Sequence, residues 1–326
     1  MSKVRAIIHY SEKNPTSGPY KRIKLHGKDA HVNLAWDFSQ IESRVGNLSE
    51  EAKDLLDIAT GTYLVDLITS RSKSFYHEFV LTVQVRNLSL WEDLRDDLNF
   101  ISSYLMRSPV EYRFLEGPRA KGEPRTSTSL PSIKSVACLS GGVDSCLGAA
   151  ILAREGNTLL MSQYTCPSIL SLQKRIVSNI PWENSPIHLP IFVRRKEHLG
   201  ATRSYLQPSR SLLYLALTGS IATAIGSTNI FMFENGPMSI GIPYTSARFH
   251  TRTVHPVVLD RIQHVIRGIP GGGTVRVHNP FGGMTKGDEI LEYHKLVPTD
   301  VLHGTCSCSM RDRVKAHRGR LGKDDY

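Results

Sequence analysis

The chain has 326 residues, 40% of them hydrophobic and 21% charged, with a formal net charge of +10. That length accommodates two domains and a sizeable core, and the excess of Lys and Arg points to anionic partners such as nucleotides, nucleic acid or acidic protein faces. A membrane-spanning helix is excluded by the lack of any run of about 18 apolar residues; the best stretch, Leu212 to Ile225, is broken by Thr218, Ser220 and Thr223.

Met1 to Arg5 leads into a short strand-like stretch and not into a signal sequence, so the cytoplasm is the expected compartment. Strand candidates in the first part are Ile7-Ile8, Val32 to Trp36, and the alternating Phe79, Leu81, Val83 and Val85, whose period of two predicts a half-buried strand. One helix is predicted from an N-cap at Ser49, with Glu50 and Glu51 in its first turn and Leu55, Ile58, Ala59, Tyr63 and Leu67 along one face. A second carries Trp91, Leu94, Leu98, Ile101 and Leu105 at helical spacing, a stripe that reads as core. Residues 1–115 are therefore expected to form a smaller mixed α+β domain. Residues 116–132 (EGPRAKGEPRTSTSLPS) are rich in Gly, Pro, Ser, Thr and charge and read as a linker.

From residue 133 to 326 the rhythm becomes strand, helix, strand, helix. Apolar runs at Val136–Leu139, Leu159–Tyr164, Ile187–Val193, Ile230–Phe233 and Val275–Val277 alternate with helical segments at Ser145–Arg154, Ser168–Asn179, Ser209–Ile225, Val257–Arg267 and Gly287–Leu296. Alternation of this kind predicts an α/β fold with a doubly wound, mostly parallel sheet, whose ligands bind at the carboxyl ends of the strands.

Directly after the first of these strands come Ser140, Gly141, Gly142, Val143, Asp144 and Ser145, and then a helix. Paired glycines let the backbone N–H groups approach a ligand, and the helix N-terminus adds unpaired donors and partial positive charge. The loop is expected to cradle a phosphate or pyrophosphate, with the Ser140 and Ser145 hydroxyls as further donors and Asp144 holding Mg²⁺. Neither G-x-x-x-x-G-K-[ST] nor G-x-G-x-x-G occurs here. A plain strand-to-helix turn is the bland alternative, but S-G-G-x-D-S opening a helix in an α/β domain is more specific than a Gly-Gly turn.

Further on, Arg210 follows Pro208 and Ser209 at a helix entrance, where serine is a natural cap and the guanidinium either contacts phosphate or is simply exposed. Glu234, Asn235 and Gly236 end a strand; a carboxylate and an amide there suit the adjacent N–H donors of a guanine-like base. Arg252 and His255 are candidates for phosphate or a substrate carboxylate.

The stretches Ser140–Ser145, Ser209–Ser211, Glu234–Gly236, Arg252–Pro256 and Thr285-Lys286-Gly287-Asp288 together resemble the PP-loop ATP pyrophosphatases (HUP-like in fold), and within them the QueC-like group, particularly its anti-phage branch such as Qat. The likeness covers roughly the last 190 residues. It implies adenylation of a 7-deazaguanine carboxylate with ATP and Mg²⁺, then attack by an amine: ammonia giving amide or nitrile, or a protein amine. Asp144, Ser145 and Arg210 would then be catalytic, and Glu234, Asn235, Gly236, Arg252, His255 and Lys286 would hold the substrate. A protein partner from a defence operon is implied as well, with the first part assigned to partner binding or to a homodimer. QueC carries four zinc-binding cysteines near its C-terminus; here Cys306 and Cys308 stand without the rest of such a set, so Zn²⁺ has an incomplete donor set. The five cysteines are too few for a disulfide framework. The basic tail (Arg311, Arg313, Lys315, Arg318, Arg320, Lys323) offers nucleic acid a contact, against plain solvation. The rival readings are a PP-loop tRNA-modifying enzyme that draws on Cys166 and a non-catalytic nucleotide-binding subunit.

Overall fold

The alternating run around Phe79 forms β4 (His77–Val85), which lies between β1 (Ser2–His9) and β5 (Val110–Glu116), with β2 (Lys21–Lys24) outside β1. The computed structural model describes residues 2–9, 21–25, 32–34, 38–69, 77–119, 130, 132–195, 207–241, 252 and 254–306. Cys308, the basic tail, most of the linker and residues 242–251 lie outside these. All three pairings in the first sheet are parallel, so the first part is α/β and not the expected mixed α+β. β4 is also buried at nearly every position instead of every second one, as a covered parallel strand must be.

The covering is done by helices that follow α1 (Ser39–Val45). α2 (Glu50–Ile68) starts at Ser49, whose hydroxyl accepts from the Ala52 N–H at 3.1 Å, as its sequence predicts. The helix is buried on almost every side, however, and not along one stripe. Gly61 lets it settle on β1: a Cβ there would lie 2.5 Å from the Ile8 side chain. The Trp91–Leu105 stripe is split between α3 (Leu88–Asp93) and α4 (Arg95–Met106), which meet at Leu94.

The second sheet has the order β10-β9-β6-β7-β8-β3, where β6 is Ser135–Cys138, β7 Thr158–Tyr164, β8 Ile187–Arg195, β9 Asn229–Phe231 and β10 Arg276–His278. Five strands are parallel, and β3 (Val32–Leu34), from the first part of the chain, joins the edge antiparallel to β8. Counting from β6, the parallel order is that of a doubly wound Rossmann-like sheet. It reverses between β6 and β9, the point where such sheets bind ligands.

α5 (Val143–Leu152) and α6 (Pro167–Asn179) belong to a core on one face with Phe233, Phe281 and Val301. α7 (Arg210–Ile225) and α9 (Pro256–Gly268) cover the other face. α2 packs on α7 and α4 on α9, so a single apolar cluster runs from the first sheet through both helix layers to the second. This explains why α7 is buried all round: it has a sheet on one side and a helix on the other. Ser209, expected to cap α7, instead donates its hydroxyl to Asp66 of α2 at 2.6 Å, and its N–H reaches the same oxygen at 3.2 Å. Among the described residues no helix is long and apolar enough to cross a membrane.

Candidate functional site

β6 and β9 end side by side at the reversal, and the loops that leave them meet. From β6 the chain enters Ser140–Ser145, with Gly141 at φ +92°, a left-handed conformation that favours glycine. The Gly141 N–H is bonded to Ser145 Oγ at 3.2 Å and the Gly142 N–H to Ser140 Oγ at 3.3 Å, while the two hydroxyls lie 3.0 Å apart. Ser145 Oγ also donates to the Gly142 carbonyl at 3.1 Å. The serines therefore shape the loop and occupy the glycine N–H groups, instead of all pointing donors outward as expected. What remains is the first turn of α5, whose N-cap is Gly142 and which no side chain caps. An uncapped helix start presents N–H donors and partial positive charge to an anion.

Gln173 braces the loop from behind; its side-chain amide donates to the carbonyls of Leu139, Ser140 and Gln163 at 3.3, 3.4 and 3.1 Å. Cys306 touches the loop from the front, where its N–H donates to the Gly141 carbonyl at 3.0 Å. Neither contact is visible in local sequence pattern.

Asp144 faces the loop after β9. Its Oδ2 accepts from Asn235, from the backbone N–H at 3.2 Å and the side-chain amide at 2.9 Å, and its Oδ1 pairs with the Lys286 ammonium. Burial works against ionisation here, yet Lys286 and Asn235 hold the Asp144 carboxyl below its usual range. Asn235 has little left to offer a base, because its Oδ1 also caps α8 (Gly236–Ile240) by accepting from the Met238 N–H at 3.2 Å. Its place here is to orient Asp144. Gly236 is a packing position as well, since a Cβ would come 2.6 Å from the Gly282 carbonyl oxygen.

Lys286 is delivered by α10 (Lys286–Tyr293), which opens with a capping box: Thr285 Oγ1 accepts from the Asp288 N–H at 3.2 Å and Asp288 accepts from the Thr285 N–H at 2.9 Å. One turn along the same helix is Glu289, which sequence reasoning missed. It is fully buried, no protein N–H donates to its carboxyl oxygens, and Asp144 lies within hydrogen-bonding reach of its protonated form. Burial, and then the charge of Asp144, push it up to about 8 against the pull of Lys286. Glu234 is likewise pushed up to about 8 by burial and Asp144, with Lys286 and Arg210 acting the other way. Arg210, the first residue of α7, thus belongs to the same electrostatic neighbourhood; its side chain lies over Tyr214 and near Gln207.

Asp144, Ser145, Arg210, Glu234, Asn235 and Lys286 are brought together; Arg252 and His255 are not part of this group. Arg252 stacks on Tyr104 of α4, with its guanidinium carbon 4.5 Å from the ring centroid. His255 is the N-cap of α9, accepting from the Val257 N–H at 3.3 Å, a structural duty in place of the expected ligand contact. Cys166 is the N-cap residue of α6, with its sulfur 3.5 Å from Ser168 Oγ. Among the described residues no three His, Cys, Asp or Glu side chains are arranged to hold a metal ion. No protein-family model matches the chain, and no curated protein matches it.

Proposed function

We propose that the chain is an ATP pyrophosphatase of the PP-loop type, acting on a 7-deazaguanine carboxylate as the QueC-like resemblance implies, in a setting of anti-phage defence. The observation that carries this reading is the position of the Ser140–Ser145 loop at the sheet reversal, with an uncapped helix start on one side and Asp144 and Lys286 on the other. A nucleotide's pyrophosphate has donors there from the α5 backbone, and Lys286 and Arg210 supply positive charge against the phosphates.

Mg²⁺ commonly keeps water and binds through one or two carboxylates plus the substrate's phosphates, so a three-carboxylate cage is not required of the protein. The donor set fits such an ion: Asp144 is held in its ionised form next to the loop, and Lys286, whose side chain is partly exposed, can turn from Asp144 towards phosphate. Mg²⁺ would neutralise the leaving pyrophosphate. Glu234 stands at the strand end for the base, Asn235 fixes Asp144, and Glu289 backs the cluster. Zinc has Cys306 as a single described donor.

The experiment is pyrophosphate release from ATP with 7-carboxy-7-deazaguanine and ammonia, followed by mass spectrometry of the products. Release that depends on both substrate and Asp144 supports the reading; the same background release with Asp144→Asn as with the natural protein sinks it.

A further inference from the structure

The strands β9 and β10 stop short of the site, at Phe231 and His278, but their pairing does not. One more backbone bond follows, from the Met232 N–H to the His278 carbonyl at 2.9 Å. At Glu234 the side chain of Asn279 then takes over from the backbone. Its Nδ2 donates to the Glu234 carbonyl at 2.9 Å, and its Oδ1 accepts from the Glu234 N–H at 3.2 Å. A carboxamide carries a donor and an acceptor side by side, so it answers both backbone groups of one residue, the service a neighbouring strand would otherwise perform. Aspartate has no donor for this, and serine cannot span both groups.

The clamp belongs to a wider interlock. The Gly282 N–H donates to the Asn279 carbonyl at 3.2 Å, which closes the turn that Asn279 opens. The Gly236 N–H donates to the Met284 carbonyl at 2.8 Å. Phe281, buried in that turn, packs its ring on Phe233 with 5.6 Å between centroids. Asn235 stands between the two anchored residues and turns its amide to Asp144 at 2.9 Å. Thr285 and Lys286 follow directly, with Thr285 as the N-cap of α10.

We propose that Asn279 is a positioning residue for Glu234, holding the strand end whose carboxyl faces the base without touching substrate itself. This rests on the reading of Glu234 as the contact for the base. Loss of the Asn279 side chain leaves the turn in place, because the Phe233–Phe281 packing and the Gly236–Met284 bond remain. Lys286 also keeps its place through the capping box at Thr285. The loss therefore falls on the substrate that carries the base, and ATP is bound as before.

The test uses the full chain with Asn279→Ala, which removes both bonds. In steady-state pyrophosphate release, its KM for 7-carboxy-7-deazaguanine should rise at least about tenfold, the scale of one or two lost hydrogen bonds, while KM for ATP stays the same. Hydrogen exchange without substrate should quicken at the Glu234 amide and stay slow at the Gly236 amide. Should that variant fold poorly, the nearly isosteric Asn279→Asp, which loses the donor, should give the same split between the two KM values. An active natural protein whose folded variants show unchanged KM values, or a rise in both alike, would overturn the assignment, as would unchanged exchange at Glu234. A natural protein that releases no pyrophosphate with this substrate instead sinks the reading of Glu234, and the substrate role of Asn279 with it; faster exchange at Glu234 would then still establish the clamp.

Discussion

Two clusters of buried carboxylates, one in each half of the chain, gather around a single basic side chain each. In the first, Asp54 and Asp57 of α2 hold Arg86 at 2.7 and 2.8 Å. Asp54 also accepts from the Arg86 N–H, the Asn87 N–H at 3.1 Å and the Trp91 indole at 2.9 Å. In the second, Asp144 is held by Lys286 and Asn235, but Glu289 and Glu234 face that same carboxylate from buried positions and are both pushed up by burial and by its charge. Burial raises Asp54 only to about 6, because Arg86 pulls it back. A cation that answers each buried carboxylate holds a fold together, while carboxyls crowded until their proton affinity rises mark a place where a ligand cation can relieve the crowding. The difference separates scaffold from site without reference to any relative.

The comparison breaks most clearly through Asp144 and Arg86. Asp144→Asn should lower substrate-dependent pyrophosphate release by roughly a hundredfold or more, the scale of losing a preorganised charge, while its unfolding midpoint stays close to that of the natural protein. Arg86→Met should do the reverse. Leaving two buried aspartates without their cation costs about 3–5 kcal/mol, seen as a fall in the urea midpoint, and the folded fraction should keep its activity.

A subtler contrast lies in pH. Glu234 and Glu289 hold protons in the folded protein at pH values where the unfolded chain has released them. Stability should therefore fall as pH rises from about 5 through the folded value of about 8. Urea midpoints at pH 6 and pH 9 should show this, and Glu234→Gln with Glu289→Gln should flatten the trend; a natural protein equally stable at both would refute it. The smallest effect is expected at Ser49→Ala, which removes the cap of α2 and should cost about 1 kcal/mol by urea denaturation with activity intact.

Much of this was legible in sequence wherever it rests on local pattern. The strand and helix alternation after residue 133, the Ser49 cap and the Gly-Gly loop before α5 follow from periodicity and residue type, which act over a few residues. Asn235 was read as a contact for a base because its true partner, Asp144, is distant in sequence and becomes a neighbour only when β9 lies beside β6. Glu289 escaped notice because an acidic residue in a charged helix looks solvated until the face that α10 turns inward is known. The parallel first sheet was missed for a related reason: strand direction is fixed by pairing, and pairing is not local. The all-round burial of α7 could have been read from Leu212 to Leu217, an unbroken apolar run longer than one helical turn.

The bond from Ser209 to Asp66 has a mechanical reading. Arg210 is the next residue, so the position of a guanidinium at the Ser140–Ser145 end of one sheet is registered by a carboxylate on a helix that covers the other. The first half thereby acts as the anvil against which the second half is aligned. Cutting the chain between the sheets would remove the reference point as well as the neighbour.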